Sequence, residues 1–168
     1  MTNDPAGHSP APLTPDEERA WRALARAIQV ITRVLDAELL QAHGLSLTEY
    51  SVLSNLSEQP GWSMRMSELA SLVSLSVSGL TRVVERLARQ GLVERVKADT
   101  DGRGQLAVLT PGGLARLEQA YQTHLAGVRE HVMDHLAGLD LPAVTSTMTS
   151  IAAAEIGPPV RRGPASPA

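Results

Sequence analysis

The sequence predicts a mainly α fold with a small β-hairpin wing: a winged helix-turn-helix domain plus N- and C-terminal dimerisation helices. Three observations predict it. Between Met64 and Gly113, two short helical patterns are joined by a tight connection. A Gly-stopped helix end follows, and then two short apolar runs flank a charged, Gly-containing loop. Long amphipathic patterns stand on both sides of this unit, longer than a small domain can cover alone. Aromatic residues are only 2% of the chain and Phe is absent, so Leu, Val, Ala and Met must fill the core, which favours packed helices.

The elements read in order as follows. Residues 1–13, rich in Pro, Ala and Ser, are expected to be a disordered N-terminal tail. Thr14-Pro15-Asp16-Glu17 opens a helix, with Thr as cap, Pro at the first helical position and Glu three residues in. Its apolar stripe runs through Trp21, Leu24, Ile28, Ile31, Leu35 and Leu39, and Gly44 ends it. Ser46-Leu47-Thr48-Glu49 is a second capping box, opening a helix to about Glu58, which Gln59-Pro60-Gly61 stops. A third helix is expected over Met66 to Val73, and a fourth over Val77 to Gln90 with Leu80, Val83, Val84 and Leu87 inward. Leu92 to Lys97 and Gln105 to Leu109 read as the wing strands. Thr110-Pro111 starts a long fifth helix reaching Leu136, and Asp140 or Leu141, followed by Pro142, opens a sixth to about Glu155. The organisation is thus a 14–45 dimerisation helix, a 46–110 winged helix-turn-helix lobe, 111–155 C-terminal dimerisation helices and a 156–168 disordered tail.

Composition excludes several classes. The chain has no Cys, so disulfides, Cys-ligated zinc and thiol redox sensing are out. No apolar run approaches the roughly 18 residues of a membrane span. The N-terminus lacks the basic and apolar regions of a signal peptide. A soluble cytoplasmic protein is the expectation, with no membrane partner. The net charge of −3 argues against a generally basic, DNA-coating protein. Its distribution is more telling: residues 61–111 hold seven basic against five acidic side chains, whereas residues 1–60 hold four against eight.

A helix, turn, helix and wing offer one helix to a DNA major groove and a basic loop to the flanking groove or backbone. The helix after Ser76 is the recognition helix by order. Ser76 is its expected cap, Ser78 and Thr81 carry hydroxyls that reach bases or phosphates, and Gly79 permits close backbone approach. Arg82 and Arg86 lie one turn apart on one face, either for DNA or, for both, as a solvated helix surface paired with Glu85 or Glu94. Lys97 ends the first wing strand. Arg65 stands where a helix cap is expected yet cannot accept an amide hydrogen bond. Either Ser63 caps from further back or Arg65 serves phosphate.

The residues Met66 to Ala70 (MSELA), Leu80 to Arg95 (LTRVVERLARQGLVER), Asp101 to Gly104 (DGRG) and Leu109 to Gly113 (LTPGG) together resemble the MarR family of winged-helix transcription regulators. The resemblance covers roughly residues 16–155. It implies a homodimer in which the first, fifth and sixth helices of two subunits interlock, and a pseudo-palindromic operator in double-stranded DNA. It also implies that Asp101 shapes the wing loop while Arg103 enters the minor groove. Gly102 departs from the Arg common at that place, removing one phosphate contact. Family members bind phenolic or amphipathic effectors between the dimerisation helices and the DNA-binding lobe, and Trp21 is a candidate lining residue there, with interface packing as the alternative.

Two other patterns invite a chemical reading. His124, His131 and His135 fall on one face of a continuous fifth helix, a weak candidate for a metal site or a pH switch, against the commoner surface or interface histidines. His131 to His135 (HVMDH) mimics an inverted zinc-protease motif, with Asp in place of the required Glu. No nucleophile–base pair, P-loop or dinucleotide fingerprint occurs, so neither an enzyme nor a cofactor is expected. The sequence therefore points to a DNA-binding transcriptional regulator, a repressor released by a small molecule. The alternative is a winged-helix protein-interaction module without specific DNA binding.

Overall fold

The computed structural model describes residues 11–97 and 104–153. Residues 1–10 of the predicted N-terminal tail, the predicted C-terminal tail and residues 98–103 of the wing loop, including Asp101, Gly102 and Arg103, lie outside the described residues. Six α-helices are described: α1 (Pro15–His43), α2 (Leu47–Ser57), α3 (Met66–Leu72), α4 (Val77–Arg89), α5 (Pro111–His131) and α6 (Leu141–Ala152). The strands are β1 (Ser63–Arg65), β2 (Val93–Lys97) and β3 (Gln105–Leu109).

Local chemistry sets the helix ends. At the head of α1 the Thr14 hydroxyl accepts the Glu17 amide, and the Glu17 carboxylate accepts the Thr14 amide at 2.7 Å. Gly44 closes α1 in the left-handed region (φ 60°), its amide donating to the Leu40 carbonyl. Ser46 and Glu49 repeat the capping box at α2. Thr110 caps α5, and its hydroxyl also donates to the Gly91 carbonyl at 2.7 Å, which fastens the end of the wing to the end of α4.

The sheet is three-stranded and antiparallel, in the order β1-β3-β2. The sequence predicted only the hairpin. Strand β1 is three residues long, too short for alternation to declare itself, and it exists because Met64 is buried opposite Ala107. Ser63 therefore does not cap α3. It pairs with Val108, and Arg65 takes the cap position with no side-chain cap bond. The chain reaches β1 through Gly61 and Trp62, at φ 66° and 54°.

An aliphatic core results, as the composition requires. Leu39, Leu45, Leu53, Leu56, Leu69, Leu80, Leu87 and Val84 are fully buried where α1 to α5 and the sheet meet. Val83 is only partly buried at its edge. Helix α5 is shorter than its sequence pattern. It ends at Val132 (φ −130°), and Met133–Leu136 form a separate 3-10 turn. Its buried positions are largely small ones, Gly113, Ala120 and Gly127, because α1 and the wing base pack close. Helix α6 buries none of its residues, and the first half of α1 lies exposed.

Candidate nucleic-acid interface

Helix α4 begins at Ser76, in extended conformation (φ −66°, ψ 154°), whose Oγ accepts the Gly79 amide at 3.1 Å. Ser78 Oγ lies 3.1 Å from the same oxygen. A β-carbon on Gly79 would stand 3.2 Å from the Ser76 hydroxyl, so the glycine keeps room for the cap. Thr81 turns its hydroxyl back to the Val77 carbonyl at 2.8 Å. Val77, Ser78 and Arg82 are exposed on this first stretch of the helix. Arg82 makes no ion pair among the described residues.

The unforeseen strand β1 completes the surface. Arg65 sits opposite Leu106 and Lys97 opposite Gln105, so both cations stand at the same end of the sheet on either side of β3. Together with Ser67, Val77, Thr81 and Gly104 they line a concavity of about 430 Å³ between the wing base and the head of α4. The structure thus gathers Arg65, Thr81 and Lys97 in one cleft, beside Ser76, Ser78, Gly79 and Arg82.

Arg86 goes elsewhere. Its partner is neither Glu85 nor Glu94 but Glu49, whose Oε1 accepts Arg86 Nε at 2.5 Å. Glu49 is 3% exposed, the one charged residue buried among those described. Burial works to raise its pKa, but the Ser46 amide, the Arg86 guanidinium and the Ser46 hydroxyl outweigh it and hold the carboxyl below its ordinary range. The sequence identified Glu49 as a capping residue. It could not show the burial, which depends on a contact 37 residues away. On the other flank, Glu85 accepts Arg95 Nη1 of β2 at 3.1 Å, and Arg95 also reaches Gln105. Helix α4 is therefore tied to α2 on one side and to the wing on the other.

The histidines do not share a site. The break at Val132 puts His135 on the separate turn, which removes the common face the sequence suggested. His131 bonds Glu38 of α1, Nε2 to Oε1 at 2.6 Å, and this bond raises its pKa above the ordinary value against the opposing effect of burial. His124 packs on the Tyr50 ring with centroids 4.3 Å apart. Burial lowers its pKa, and its Nδ1 has no hydrogen-bond partner among the described residues. Trp21 is 59% exposed on the outlying half of α1.

Comparison with known proteins agrees with this geometry. The MarR family profile matches residues 43–104, from the end of α1 into the wing. The multiple antibiotic resistance protein MarR of Salmonella typhimurium is 31% identical over 102 residues, which are 59% of this chain and 69% of the relative. Among solved structures, a MarR family transcriptional regulator from Streptomyces coelicolor in complex with DNA superposes with a TM-score of 0.82. It is 32% identical, over 87% of this chain and 91% of that one. AbsC, another MarR family regulator from Streptomyces coelicolor, gives a TM-score of 0.79 at 37% identity, over 85% of this chain and 96% of that one. The chain belongs to the MarR family of winged-helix transcriptional regulators.

Proposed function

We propose that this protein is a homodimeric repressor that binds a pseudo-palindromic operator in double-stranded DNA and leaves it when a small amphipathic or aromatic effector binds. The observation that carries the reading is the convergence of Arg65, Thr81 and Lys97 on one cleft beside the exposed head of α4. Ser78, Gly79, Thr81 and Arg82 enter a major groove from the helix N-terminus, with Ser76 holding that turn in shape. Arg65 and Lys97 take phosphates on either side of the wing base. The wing loop, carrying Asp101 and Arg103, reaches the adjacent minor groove, where Arg suits a narrow, electronegative channel.

Surfaces that one chain leaves bare support the dimer. Trp21 and Ile28 on α1 and Leu141, Met148 and Ile151 on α6 are exposed apolar residues on helices at opposite ends of the sequence. A second copy covers both faces at once, and a two-fold axis places two recognition helices about one DNA turn apart. Trp21, exposed on α1, is the candidate residue for lining the effector pocket. No described helix is long and apolar enough to cross a membrane.

The test is fluorescence anisotropy of the full-length protein with a labelled fragment from upstream of its own gene, in excess nonspecific competitor and repeated with Arg103→Ala. Selective binding that the variant weakens is expected. If neither that fragment nor any from an unbiased genomic selection is bound above the nonspecific level, the protein-interaction reading replaces this one.

A further inference from the structure

The chain contains the same capping box twice, and the two copies differ in a way that capping does not explain. At α1, Glu17 closes the box with Thr14 in full exposure and takes no cation among the described residues. At α2, Glu49 closes the box with Ser46, Oε2 lying 2.8 Å from both the Ser46 amide and its hydroxyl. Its second oxygen is buried and receives the guanidinium of Arg86 from the recognition helix. A cap needs neither burial nor an arginine, and a buried carboxylate is costly unless it is paired. The second oxygen therefore has a separate task.

That task is legible in how α4 is held. Leu80, Val84 and Leu87 anchor the helix through apolar contact, which is non-directional, and the Glu85–Arg95 pair is an exposed tie to β2. The bond from Arg86 to Glu49 is the directional one that ends on a buried carboxylate, on the flank facing α2. Arg86 lies one turn from Arg82 and two from Ser78 on the same side of the helix, so fixing it fixes the face that carries both. The anchor is itself tied to α1, because the Leu47 amide at the first residue of α2 donates to Asp36 Oδ1 at 2.8 Å. The head of α2 thus joins the long N-terminal helix to the recognition helix through polar bonds of defined geometry.

We propose that Glu49 is a positioning residue for DNA reading: through Arg86 it sets the orientation of α4, so that Arg86 acts on Glu49 rather than on a phosphate. The proposal rests on the DNA-binding reading above. It is tested with the full-length protein, Glu49→Gln, Arg86→Gln and the double variant. Each is titrated with the best duplex from a random 30-bp selection and with a scrambled duplex of the same composition, at several salt concentrations.

Each single variant is expected to reduce the preference for the selected duplex about tenfold, and the double variant to be no worse than either. The salt dependence stays unchanged, because no phosphate contact is lost. Thermal melts accompany each titration. Arg86 is about half exposed, 49% at the side chain, so its replacement keeps the test open should Glu49→Gln unfold. The proposal is overturned if Arg86→Gln weakens both duplexes equally and lowers the salt slope by about one, the mark of a direct phosphate contact. Additive effects in the double variant overturn it as well. A wild-type protein that prefers no duplex sinks the DNA-binding reading itself, whereas a preference with additive variants sinks this proposal alone.

Discussion

His131 of α5 holds Glu38 of α1, with Nε2 2.6 Å from Oε1. One turn earlier on α5, Gly127 leaves no room for a β-carbon against Glu38 and the Leu35 methyl, so the two helices touch closely here. The hydrogen bond from His131 to Glu38 favours the protonated ring, with Glu130 adding to the effect. A raised folded pKa means that the pair stabilises the fold fully below the ordinary histidine value of 6.5 and loses that effect as pH rises through the folded value. Thermal melts from about pH 5 to about pH 9 should therefore show His131→Gln losing most at the acid end and approaching wild type at the alkaline end. Half-buried His124 acts with the opposite sign: its lowered pKa costs stability as pH falls below 6.5. Only the difference between wild type and the single variant isolates His131. A difference that grows with pH would contradict the assignment.

Adjacent glycines at the head of α5 should respond differently to alanine. A β-carbon on Gly113 would collide with the Leu92 carbonyl and stand 2.6 Å from Leu109 Cδ1, so backbone must move. On Gly112 its nearest neighbours are 3.6 Å away. Gly113→Ala is expected to cost about 3 kcal/mol or more, given the backbone clash, and Gly112→Ala to stay within about 0.5 kcal/mol of wild type. Denaturant titrations of the two variants decide it.

Ser76→Ala should cost about 1 kcal/mol of stability by removing the cap from α4. It should also weaken DNA binding by more than Ser71→Ala, a serine whose hydroxyl bonds back within α3 at the Ser67 carbonyl. Equal effects of the two replacements, read by anisotropy, would place the head of α4 outside the interface.

The cations in and beside the cleft are expected to divide by role. Lys97→Ala and Arg65→Ala are each expected to weaken selected and scrambled duplexes alike and to reduce the salt slope by about one. Arg82→Ala should mainly erode the preference for the selected duplex, by about tenfold, consistent with a base contact worth roughly 1–3 kcal/mol. Salt titrations of all three variants distinguish these outcomes.

Most helix boundaries were legible in the sequence because they are local chemistry. Thr14, Ser46, Ser76 and Thr110 each announce a cap, and Gly44 announces an end. Features that depend on distant partners were not legible. Strand β1 exists only because β3 lies beside it, and without β1 the place of Arg65 next to the cleft could not be read. The stop of α5 at Val132 carries no Gly or Pro to mark it, and it separates His135 from the helix bearing His124 and His131. The same blindness to long-range contacts offered Arg86 its sequence neighbours as partners, when the carboxylate it meets belongs to α2.

The exposed faces of α1 and α6 yield a prediction about assembly. Ile28→Arg together with Ile151→Arg should shift the protein from dimer to monomer in sedimentation equilibrium, because both side chains lie bare on the single chain. An unchanged dimer would mean that the subunits meet elsewhere.

Operator reading by a two-fold pair of α4 helices is tested most directly by selecting binding duplexes from a random DNA pool with the full-length protein and footprinting the best sequence with hydroxyl radicals. Two inverted half-sites with centres about one helical turn apart, roughly 34 Å, are predicted from a two-fold pair of α4 helices. Protection should fall on successive major grooves. A pool that shows no enrichment, or a single unpaired site without inverted symmetry, would contradict the central claim.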